Sequence, residues 1–358
     1  MRVKSGLRTL LPALALACCD PVAAEPIRPI EFVKVADGVY AAVRPEKLRF
    51  VDGNAAVVVT DDGVMIVDTH VRPATARVLG KNLSEITDKF VRWVVNTHWH
   101  QDHIQGNQVY DELYPGLVSF ISADSTREDI EKRAIPQAEE EKRDLPVKID
   151  DMRRLLEKGT DENGADLSED ARNRLVTRIG YYKGYLDDLT GLRFVLPTIT
   201  FNDRLSVRAG GIDIQLMRFR AHSRGDVVAY LPRERVLITG DLLDECPYLG
   251  QGYPKEWIQA LQALEALGFD TIIPGHGRPM QGKEHLQLVK AMLQSLVDQA
   301  RIAATKGMTI EQARSTISLA AFRDRMTKGD PLAQQMFDGN FPDAIDRAYL
   351  EARGELKD

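Results

Sequence analysis

Three histidines and one aspartate lie within six residues of this chain, directly after a segment that is typical of a buried strand. The stretch follows the apolar run Val91–Val95 and reads Thr97-His98-Trp99-His100-Gln101-Asp102-His103. Alternate side chains at 98 and 100 can converge on one ion, and Asp102 and His103 then point to a second position. Imidazole and carboxylate groups at this density suit Zn²⁺. Without metal they would leave like-charged or unpaired polar atoms together, so the stretch predicts a metal site on a loop just past a strand.

Composition places this chain of 358 residues among ordinary globular proteins. Hydrophobic residues make up 44% and charged residues 28%, which is typical of a packed core and excludes disorder for most of the chain. The formal net charge of −6 argues against a nucleic-acid-binding protein, because such proteins usually need a basic surface. The length allows one large domain with additions, or two small domains.

The pattern of apolar runs predicts a mixed α/β protein with two runs of strands. In the first run, residues 57–59 and 64–67 form a strand, turn and strand around Asp61-Asp62-Gly63. Thr309 and Gln312 form a predicted capping box in the last helical region. Helices are predicted at residues 72–88, from about 104, at 255–267 and from 283 onward. Strands are predicted at residues 38–68, 91–95, 118–122, 193–201, 204–208, 212–218, 227–231, 235–239 and 271–273.

Residues 124–190 differ from the rest because they contain 18 acidic and 13 basic residues. So charged a segment cannot form a central strand. We interpret it as a helical insertion on the surface. Three roles are open for this insertion: a solvated addition without function, a lid over a site, or a contact between subunits. One apolar stripe on an exposed helix is predicted by steps of four and three residues at Leu175, Ile179, Tyr182, Leu186 and Leu189.

The first 24 residues are typical of a cleaved secretory signal peptide. Three basic residues precede the short apolar run Leu10–Cys19, and small residues follow at positions 22–24. The apolar run is too short to span a bilayer as a helix, although a membrane anchor and a lipoprotein acylated at Cys18 are alternatives. The prediction is therefore a periplasmic or secreted protein that has no membrane contact after cleavage.

Cleavage would leave Cys246 as the single cysteine. One thiol cannot form an internal disulfide, so the mature protein depends on core packing and on metal. Cys246 follows Asp241 by five residues, but no partner motif for a nucleophilic cysteine accompanies it. We therefore interpret Cys246 as a packed thiol.

The motif His98-x-His100-x-Asp102-His103 resembles the signature of the metallo-beta-lactamase superfamily. The resemblance covers about residues 35–285 apart from the insertion, and it implies an α/β fold in the form of a four-layer αββα sandwich with the site on loops at one edge. We therefore predict a domain at residues 25–300, which contains the insertion 124–190, and a helical C-terminal tail at residues 301–358. The other four motifs of the family are present in the expected order: Asp68 after a strand as the first motif, then, after His98–His103, His222 in Ala-His-Ser-Arg-Gly-Asp, Asp241 in Thr-Gly-Asp and His276 in Pro-Gly-His-Gly.

The resemblance also implies the roles of these residues at a site for two zinc ions. Asp68 is expected behind the ligands, where it orients them. The zinc ions activate a water molecule that attacks a carbonyl carbon, and Asp102 is the predicted catalytic residue because it would orient this water and move its proton. Gln101 stands where an iron-binding flavoprotein branch has an acidic residue, which disfavours a di-iron redox site. The expected ligands are His98, His100 and His222 for one zinc ion, Asp102, His103 and His276 for the other, and Asp241 as a bridge.

Other side chains near the motifs carry weaker predictions. Tyr248 and Tyr253 follow Asp241 in a glycine-rich stretch and are expected to line the substrate pocket. Trp257 is equally compatible with a core position. His70 is expected to form a local hydrogen bond and not to bind metal.

The resemblance implies a zinc-dependent hydrolase of small molecules with an amide-type or ester-type bond, and β-lactams are one class of substrate to test. The best-known β-lactamase branch has Cys at the position of Asp241 and Lys at the position of Asp244. An acidic Asp244 is expected to repel an anionic drug. The alternative is a glyoxalase II-like thioesterase or a lactonase, because Asp at position 241 resembles those members.

Two other classes of function are disfavoured. A non-catalytic periplasmic zinc protein needs only four ligands, whereas all seven ligand positions are filled in this chain. A nuclease of the same superfamily conflicts with the acidic charge and the export signal. The expected partner is a small-molecule substrate and not a nucleic acid, and an oligomer formed through the insertion or the tail stays open.

Overall fold

A computed structural model describes residues 30–161 and 164–358. The signal peptide predicted at residues 1–24 lies outside the described residues. The described chain divides into two compact units, one formed by residues 30–146 and 185–358 and the other by residues 147–184. The larger unit contains both β-sheets. Among the described residues, no helix is both long enough and apolar enough to cross a membrane.

The strands lie at the short apolar runs of the sequence. A turn at Asp61-Asp62 separates two of them, and it ends at Gly63, whose φ of 146° suits glycine. In chain order the strands are β1 (Glu31–Ala36), β2 (Val39–Val43), β3 (Ala55–Thr60), β4 (Gly63–Val67), β5 (Val91–Val95), β6 (Ser119–Ala123), β7 (Ile199–Phe201), β8 (Arg204–Ala209), β9 (Ile212–Phe219), β10 (Asp226–Leu231), β11 (Val236–Gly240), β12 (Thr271–Pro274) and β13 (Met280–Gln281).

These strands form two sheets that pack face to face. One sheet runs in chain order from β1 to β7, and its strands are antiparallel up to β4 and parallel from β4 onward. The other has the order β13-β12-β11-β10-β9-β8, in which β11 and β12 are parallel. Buried side chains from both sheets, such as Val58 and Met65 from one and Leu216 and Val227 from the other, share one core cluster.

Helices cover the outer faces of both sheets. Ala76 and Leu79 of the first helix belong to a core cluster with the first sheet, and Trp257 and Leu261 belong to one with the second sheet. The predicted four-layer αββα sandwich is thereby confirmed. The helices are α1 (Pro73–Asn82), α2 (Gln101–Ile104), α3 (Asn107–Leu113), α4 (Asp124–Asp129), α5 (Ile135–Lys158), α6 (Glu169–Thr190), α7 (Pro254–Glu265), α8 (Glu284–Thr305), α9 (Ile310–Thr316), α10 (Ala320–Thr327) and α11 (Pro331–Arg353).

The charged segment 124–190 is helical, as predicted, in α4, a π-helical turn at Ile130–Ala134, α5 and α6. Its first part is not a purely external layer. The side chains of Ile130 and Ala134 are buried in a cluster with Trp99, which lies within the metal motif, and Ile104, which directly follows it. The smaller compact unit covers only part of the insertion, since it begins at residue 147 and ends at residue 184.

The tail is helical, and the predicted capping box of Thr309 and Gln312 is present at the start of α9. The boundary predicted between the domain and the tail, at residues 300 and 301, lies inside helix α8. The division into a domain and a tail stays a prediction. Two boundaries differ from expectation. The helix after β5 begins at Gln101 and not near 104, and the strand expected at 193–201 is restricted to Ile199–Phe201.

Candidate metal centre

The residues of the five motifs lie on loops or in short helical turns that follow strands. Asp68 follows β4 and His98–His103 follow β5, while Asp241 follows β11 and His276 follows β12. Because β4 and β5 are parallel, and β11 and β12 are parallel, the carboxyl ends within each pair meet at one edge of their sheet. His222 lies between β9 and β10. Chain segments far apart in the sequence thus bring their polar side chains to one place.

The first group of potential ligands consists of His98, His100, His222 and Asp241, whose ligand atoms all lie within 4.8 Å of one another. The distance between Nε2 of His222 and Nδ1 of His100 is 3.0 Å. Oδ2 of Asp241 is 3.6 Å from Nε2 of His98 and 3.6 Å from Nε2 of His222. Three imidazoles and one carboxylate oxygen therefore surround one position.

The second group consists of Asp102, His103 and His276. Oδ2 of Asp102 is 3.1 Å from Nε2 of His276 and 3.5 Å from Nε2 of His103. Asp241 also faces this group, since its Oδ1 is 3.1 Å from Nε2 of His103 and its Oδ2 is 3.6 Å from Nε2 of His276. The structure thus brings all seven predicted ligands together and places Asp241 between the two groups, while their roles stay predictions.

In three imidazoles, the ring nitrogen that points away from the centre donates a hydrogen bond to a backbone or carboxylate oxygen. Nδ1 of His103 donates to Oδ2 of Asp68 at 2.8 Å. Nδ1 of His276 donates to the carbonyl oxygen of Arg49 at 2.9 Å, and Nδ1 of His222 donates to that of Tyr248 at 2.9 Å. Such bonds fix the tautomer, so the Nε2 atom of each ring presents a lone pair to the centre.

The remaining two imidazoles are held by side chains. Nε2 of His100 donates to Oε1 of Gln251 at 2.9 Å, so Nδ1 of this ring carries the lone pair. The hydroxyl of Thr97 donates to Oδ2 of Asp68 at 2.7 Å, so it accepts from Nδ1 of His98 at 3.0 Å. Every imidazole in the centre therefore has one nitrogen satisfied from behind and one directed inward.

When the imidazoles are neutral, the nitrogen and oxygen atoms that point into the centre are all acceptors, so they can bind a cation but cannot form hydrogen bonds with one another. The lone pairs of His100 and His222 face each other across 3.0 Å. Nε2 of His98, Nε2 of His103 and Oδ1 of Asp241 are buried without a hydrogen-bond partner among the described residues. Buried acceptors that lack a donor are costly, and a cation between them removes this cost. Imidazole nitrogens and carboxylate oxygens are also the ligands that Zn²⁺ prefers, so the residues present fit the expected metal.

Burial controls the protonation of the first group. It lowers the pKa of His222 to about 3 and lowers the pKa of His98 well below its ordinary value. Both imidazoles are therefore neutral at physiological pH. Neutral imidazole is the form that binds a metal ion.

The second group attracts positive charge. Burial lowers the pKa of His103 and His276, but the carboxylates of Asp241 and Asp102 outweigh burial and raise both pKa values well above the ordinary range. In turn, although burial opposes it, the two imidazoles hold the pKa of Asp241 well below its ordinary value. A metal ion can supply the same positive charge in place of the two protons.

Asp68 is buried behind the centre in a left-handed backbone conformation with a φ of 63°. Besides the bond to His103, its Oδ1 accepts from the backbone nitrogen of Thr97 at 2.8 Å. His70 also has a positive φ, and its Nδ1 donates to the carbonyl oxygen of Gly53 at 2.7 Å. His70 thus has the local hydrogen bond that the sequence predicts.

Asp244 is oriented differently from the expectation. Its side chain is buried, and its Oδ1 accepts from the backbone nitrogen of His276 at 2.8 Å. Burial, followed by the charge of Asp241, raises the pKa of Asp244 well above its ordinary value. The structure gives no support to the expectation that Asp244 repels an anionic substrate, because this carboxyl is buried and bonds to the His276 backbone. Together with Asp241 and His276, Asp244 also forms a third group of potential ligands.

The two tyrosines expected at the pocket differ in position. The ring of Tyr248 lies 6.1 Å from that of His222 and 6.4 Å from that of His100, beside the first group. The ring of Tyr253 is buried between the guanidinium groups of Arg220 and Arg347, at 3.8 and 5.0 Å. These contacts give no support to Tyr253 as a residue of the pocket wall.

Cys246 is buried as predicted, and Trp257, for which a core position was one of two alternatives, is buried as well. Trp257 is completely buried, and its Nε1 donates to the carbonyl oxygen of Leu242 at 2.9 Å. Cys246 is a buried free thiol. Burial and the nearby acidic Glu245 raise the pKa of Cys246 to about 12, which makes its thiol unreactive.

Sequence reasoning missed three residues that touch the ligands. Gln251 and Arg49 bond to His100 and His276. Gly53 leaves so little room that a Cβ atom there would lie 2.7 Å from Cε1 of His103. A glycine and a backbone carbonyl carry no chemical signature in a sequence, and Gln251 lies about 150 positions from the histidine that it contacts.

Comparison with known proteins agrees with this architecture. The family model of the metallo-beta-lactamase superfamily matches residues 48–276. The linear primary-alkylsulfatase of Pseudomonas sp. (strain ATCC 19151) is 24% identical over 274 residues, which are 72% of this chain and 48% of that protein. The chain thus spans about half the length of this curated relative.

Solved structures give the same picture at the level of the fold. A stereoselective inverting sec-alkylsulfatase from Pseudomonas sp. aligns with 90% of this chain and 50% of its own, with a TM-score of 0.63 and 16% identity. A metallo-beta-lactamase of Pseudomonas aeruginosa in its mono-zinc form aligns with 76% of this chain and 97% of its own, with a TM-score of 0.51 and 16% identity.

Proposed function

The chain belongs to the metallo-beta-lactamase superfamily, and from this premise we propose that it is a two-zinc hydrolase that cleaves an ester-type bond of a small molecule with water. The observation that carries the proposal is the arrangement of Asp241 between two groups of ligands. A structural zinc site needs four ligands. Seven ligands, one of which is a carboxylate that faces both groups, are more than one such site needs, and they suit a pair of ions.

Zinc ions bound there would lower the pKa of a water molecule and polarise the bond to be cleaved. Asp102 is the proposed catalytic residue of the chain itself. The side chain of Asp102 is 21% exposed, whereas that of Asp241 is 7% exposed. Asp102 is therefore the more solvent-accessible of the two carboxylates among the ligands. Asp102 is therefore placed to orient an attacking water molecule and to take its proton.

The first candidate substrate is the sulfate ester of an alkyl alcohol, which would yield the alcohol and sulfate. The curated relative that is 24% identical is an alkylsulfatase. The solved sec-alkylsulfatase aligns with 90% of this chain, whereas the metallo-beta-lactamase aligns with 76%. The similarity to alkylsulfatases thus extends over more of the chain than the similarity to the lactamase.

The second candidate is a carbonyl substrate, namely a thioester, a lactone or a β-lactam. Its support is the motif set, because Asp241 and His222 match the family pattern of carbonyl-directed hydrolases. The hydrogen bond from the His276 backbone nitrogen to Asp244 weakens the objection that this carboxyl would repel an anionic drug.

A substrate panel tests the proposal. The zinc-loaded protein would be given decyl sulfate, a glutathione thioester, a lactone and a chromogenic cephalosporin. We expect turnover of one class on the order of 1 s⁻¹ or more, and we expect its loss in Asp102→Ala but not in Asp187→Ala, a change at an exposed aspartate. Turnover that survives in Asp102→Ala, or a two-zinc protein that hydrolyses none of the four, would contradict the proposal.

A further inference from the structure

We propose that Arg347, on the C-terminal helix α11, is a positioning residue for the first zinc subsite, the one formed by His98, His100 and His222. The inference rests on the zinc binding of the proposed function and does not depend on the substrate. Arg347 touches no ligand. It acts through the 248–253 loop, which comprises residues 248 to 253 between β11 and α7.

The 248–253 loop orients two of the three histidines in this subsite. The carbonyl oxygen of Tyr248 accepts from Nδ1 of His222 at 2.9 Å, and Oε1 of Gln251 accepts from Nε2 of His100 at 2.9 Å. Both bonds fix which nitrogen of the ring faces the centre. A displacement of this loop therefore changes the direction of two lone pairs at once.

Arg347 holds the loop by its backbone. Its Nε donates to the carbonyl oxygen of Gly252 at 2.8 Å, and its Nη2 donates to that of Gln251 at 3.2 Å. The same guanidinium lies 5.0 Å from the ring centre of Tyr253. The planar guanidinium can bond two carbonyl groups in a fixed geometry, which an ammonium group cannot reproduce.

Further contacts from the end of the chain reinforce this grip. The hydroxyl of Tyr253 bonds to Oδ1 of Asp358 at 3.1 Å. Glu351 accepts from the backbone nitrogen of Lys255, the second residue after the loop, at 3.2 Å. The loop and the residues that follow it are thus tied to α11 and to Asp358.

Helix α11 itself is firmly packed, so it can serve as a fixed support. Ile345, Ala348 and Tyr349 are buried in the same core cluster as Leu249 and Trp257. Arg347 therefore belongs to a helix that packs into the core formed by the second sheet and the helices that cover it. The support of the metal subsite comes from a segment that lies outside residues 48–276, which the family model matches.

The second subsite provides an internal reference. His103 and His276 are held by Asp68 and by the carbonyl oxygen of Arg49, neither of which belongs to the 248–253 loop. Loss of the Arg347 contacts should therefore weaken one zinc site and leave the other unchanged. A residue that merely contributed to folding would affect both sites alike.

The test is a competition titration with a chromophoric zinc chelator on the full chain and on Arg347→Met. We expect the affinity of one of the two zinc sites to fall by about tenfold, the lower end of the 10- to 100-fold range for residues that support ligands, with the other site unchanged. Arg347→Lys should recover part of the loss. The control is Arg353→Met on the same helix, where the exposed guanidinium pairs with Glu355 at 2.8 Å, and it should behave like the unmodified chain.

A second variant connects the effect to the 248–253 loop. Gln251→Met should weaken the same zinc site, and the double variant should lose no more affinity than the weaker-binding single variant. Unchanged affinities in Arg347→Met, equal losses at both sites, or an equal loss in Arg353→Met would overturn this inference while two zinc ions still bind. An unmodified chain that binds no pair of zinc ions would contradict the proposed function as well.

Discussion

Gly53 packs against the metal centre so closely that replacing it with alanine should damage the second subsite. A Cβ atom at this position would lie 2.7 Å from Cε1 and 2.9 Å from Nε2 of His103, and 2.8 Å from the carbonyl oxygen of Asp102. The φ of Gly53 is not positive, so the cost of Gly53→Ala arises from these contacts and not from backbone strain.

The size of the required movement can be compared with the tolerance of a metal bond. Carbon contacts are favourable near 3.5–4.0 Å, so the buried ring of His103, whose Cε1 would lie 2.7 Å from the new Cβ, would have to move by about 0.8 Å or more. Zinc–nitrogen bonds are about 2.0–2.1 Å long and tolerate only about 0.2 Å. We therefore expect Gly53→Ala to lower the zinc affinity of this subsite by at least about tenfold, with a loss of about 1–3 kcal/mol in folding stability from overpacking.

The assay is zinc content by mass spectrometry after dialysis, together with a competition titration. Gly191→Ala is the matched control, because a Cβ atom at Gly191 would meet no atom within 4 Å and the φ of Gly191 is not positive. A folded Gly53→Ala protein that retains two zinc ions with unchanged affinities would refute the reasoning.

Three further predictions follow from the same geometry. Asp68→Asn, which removes the charged acceptor of His103 and of the Thr97 hydroxyl that holds His98, should weaken zinc binding at both subsites, by about 10- to 100-fold at the subsite of His103; unchanged titration curves would contradict this. Removal of zinc with a chelator should lower the thermal unfolding midpoint, and added zinc should restore it, because a ligand of the folded state alone stabilises that state; an unchanged midpoint would contradict it. Cys246, whose pKa burial raises to about 12, should resist iodoacetamide at pH 8 in the native protein and react in denaturant, as peptide mass spectrometry would show; rapid native labelling would contradict its burial.

The fold was predictable because its signals are local. Short apolar runs such as Val64–Val67 and Val91–Val95 become buried strands, and a motif after each strand marks the edge at which polar side chains meet. The helical character of residues 124–190 was predictable from charge. The burial of Ile130 against Trp99 was not, because two apolar residues in a charged segment give no sign of their partner.

The set of residues at the centre and Asp68 behind them were predictable, but most of the other groups that hold the ligands were not. Histidine and aspartate are recognisable ligands in a sequence, and the structure brings all seven together. Besides Asp68 and Thr97, the supports are backbone carbonyls, a glycine contact and Gln251, and these depend on packing between distant segments. The direction of Asp244 illustrates the limit, since its position in the motif indicates a substrate contact while the structure turns its carboxylate to the His276 backbone.

The central claim is a pair of zinc ions that share Asp241. The most direct test is a crystal structure of the zinc-loaded protein with anomalous data collected on both sides of the zinc absorption edge. The account predicts two anomalous peaks, one among His98, His100 and His222 and the other among Asp102, His103 and His276, with the Asp241 carboxylate between them. A single peak, or peaks that do not involve these side chains, would contradict it.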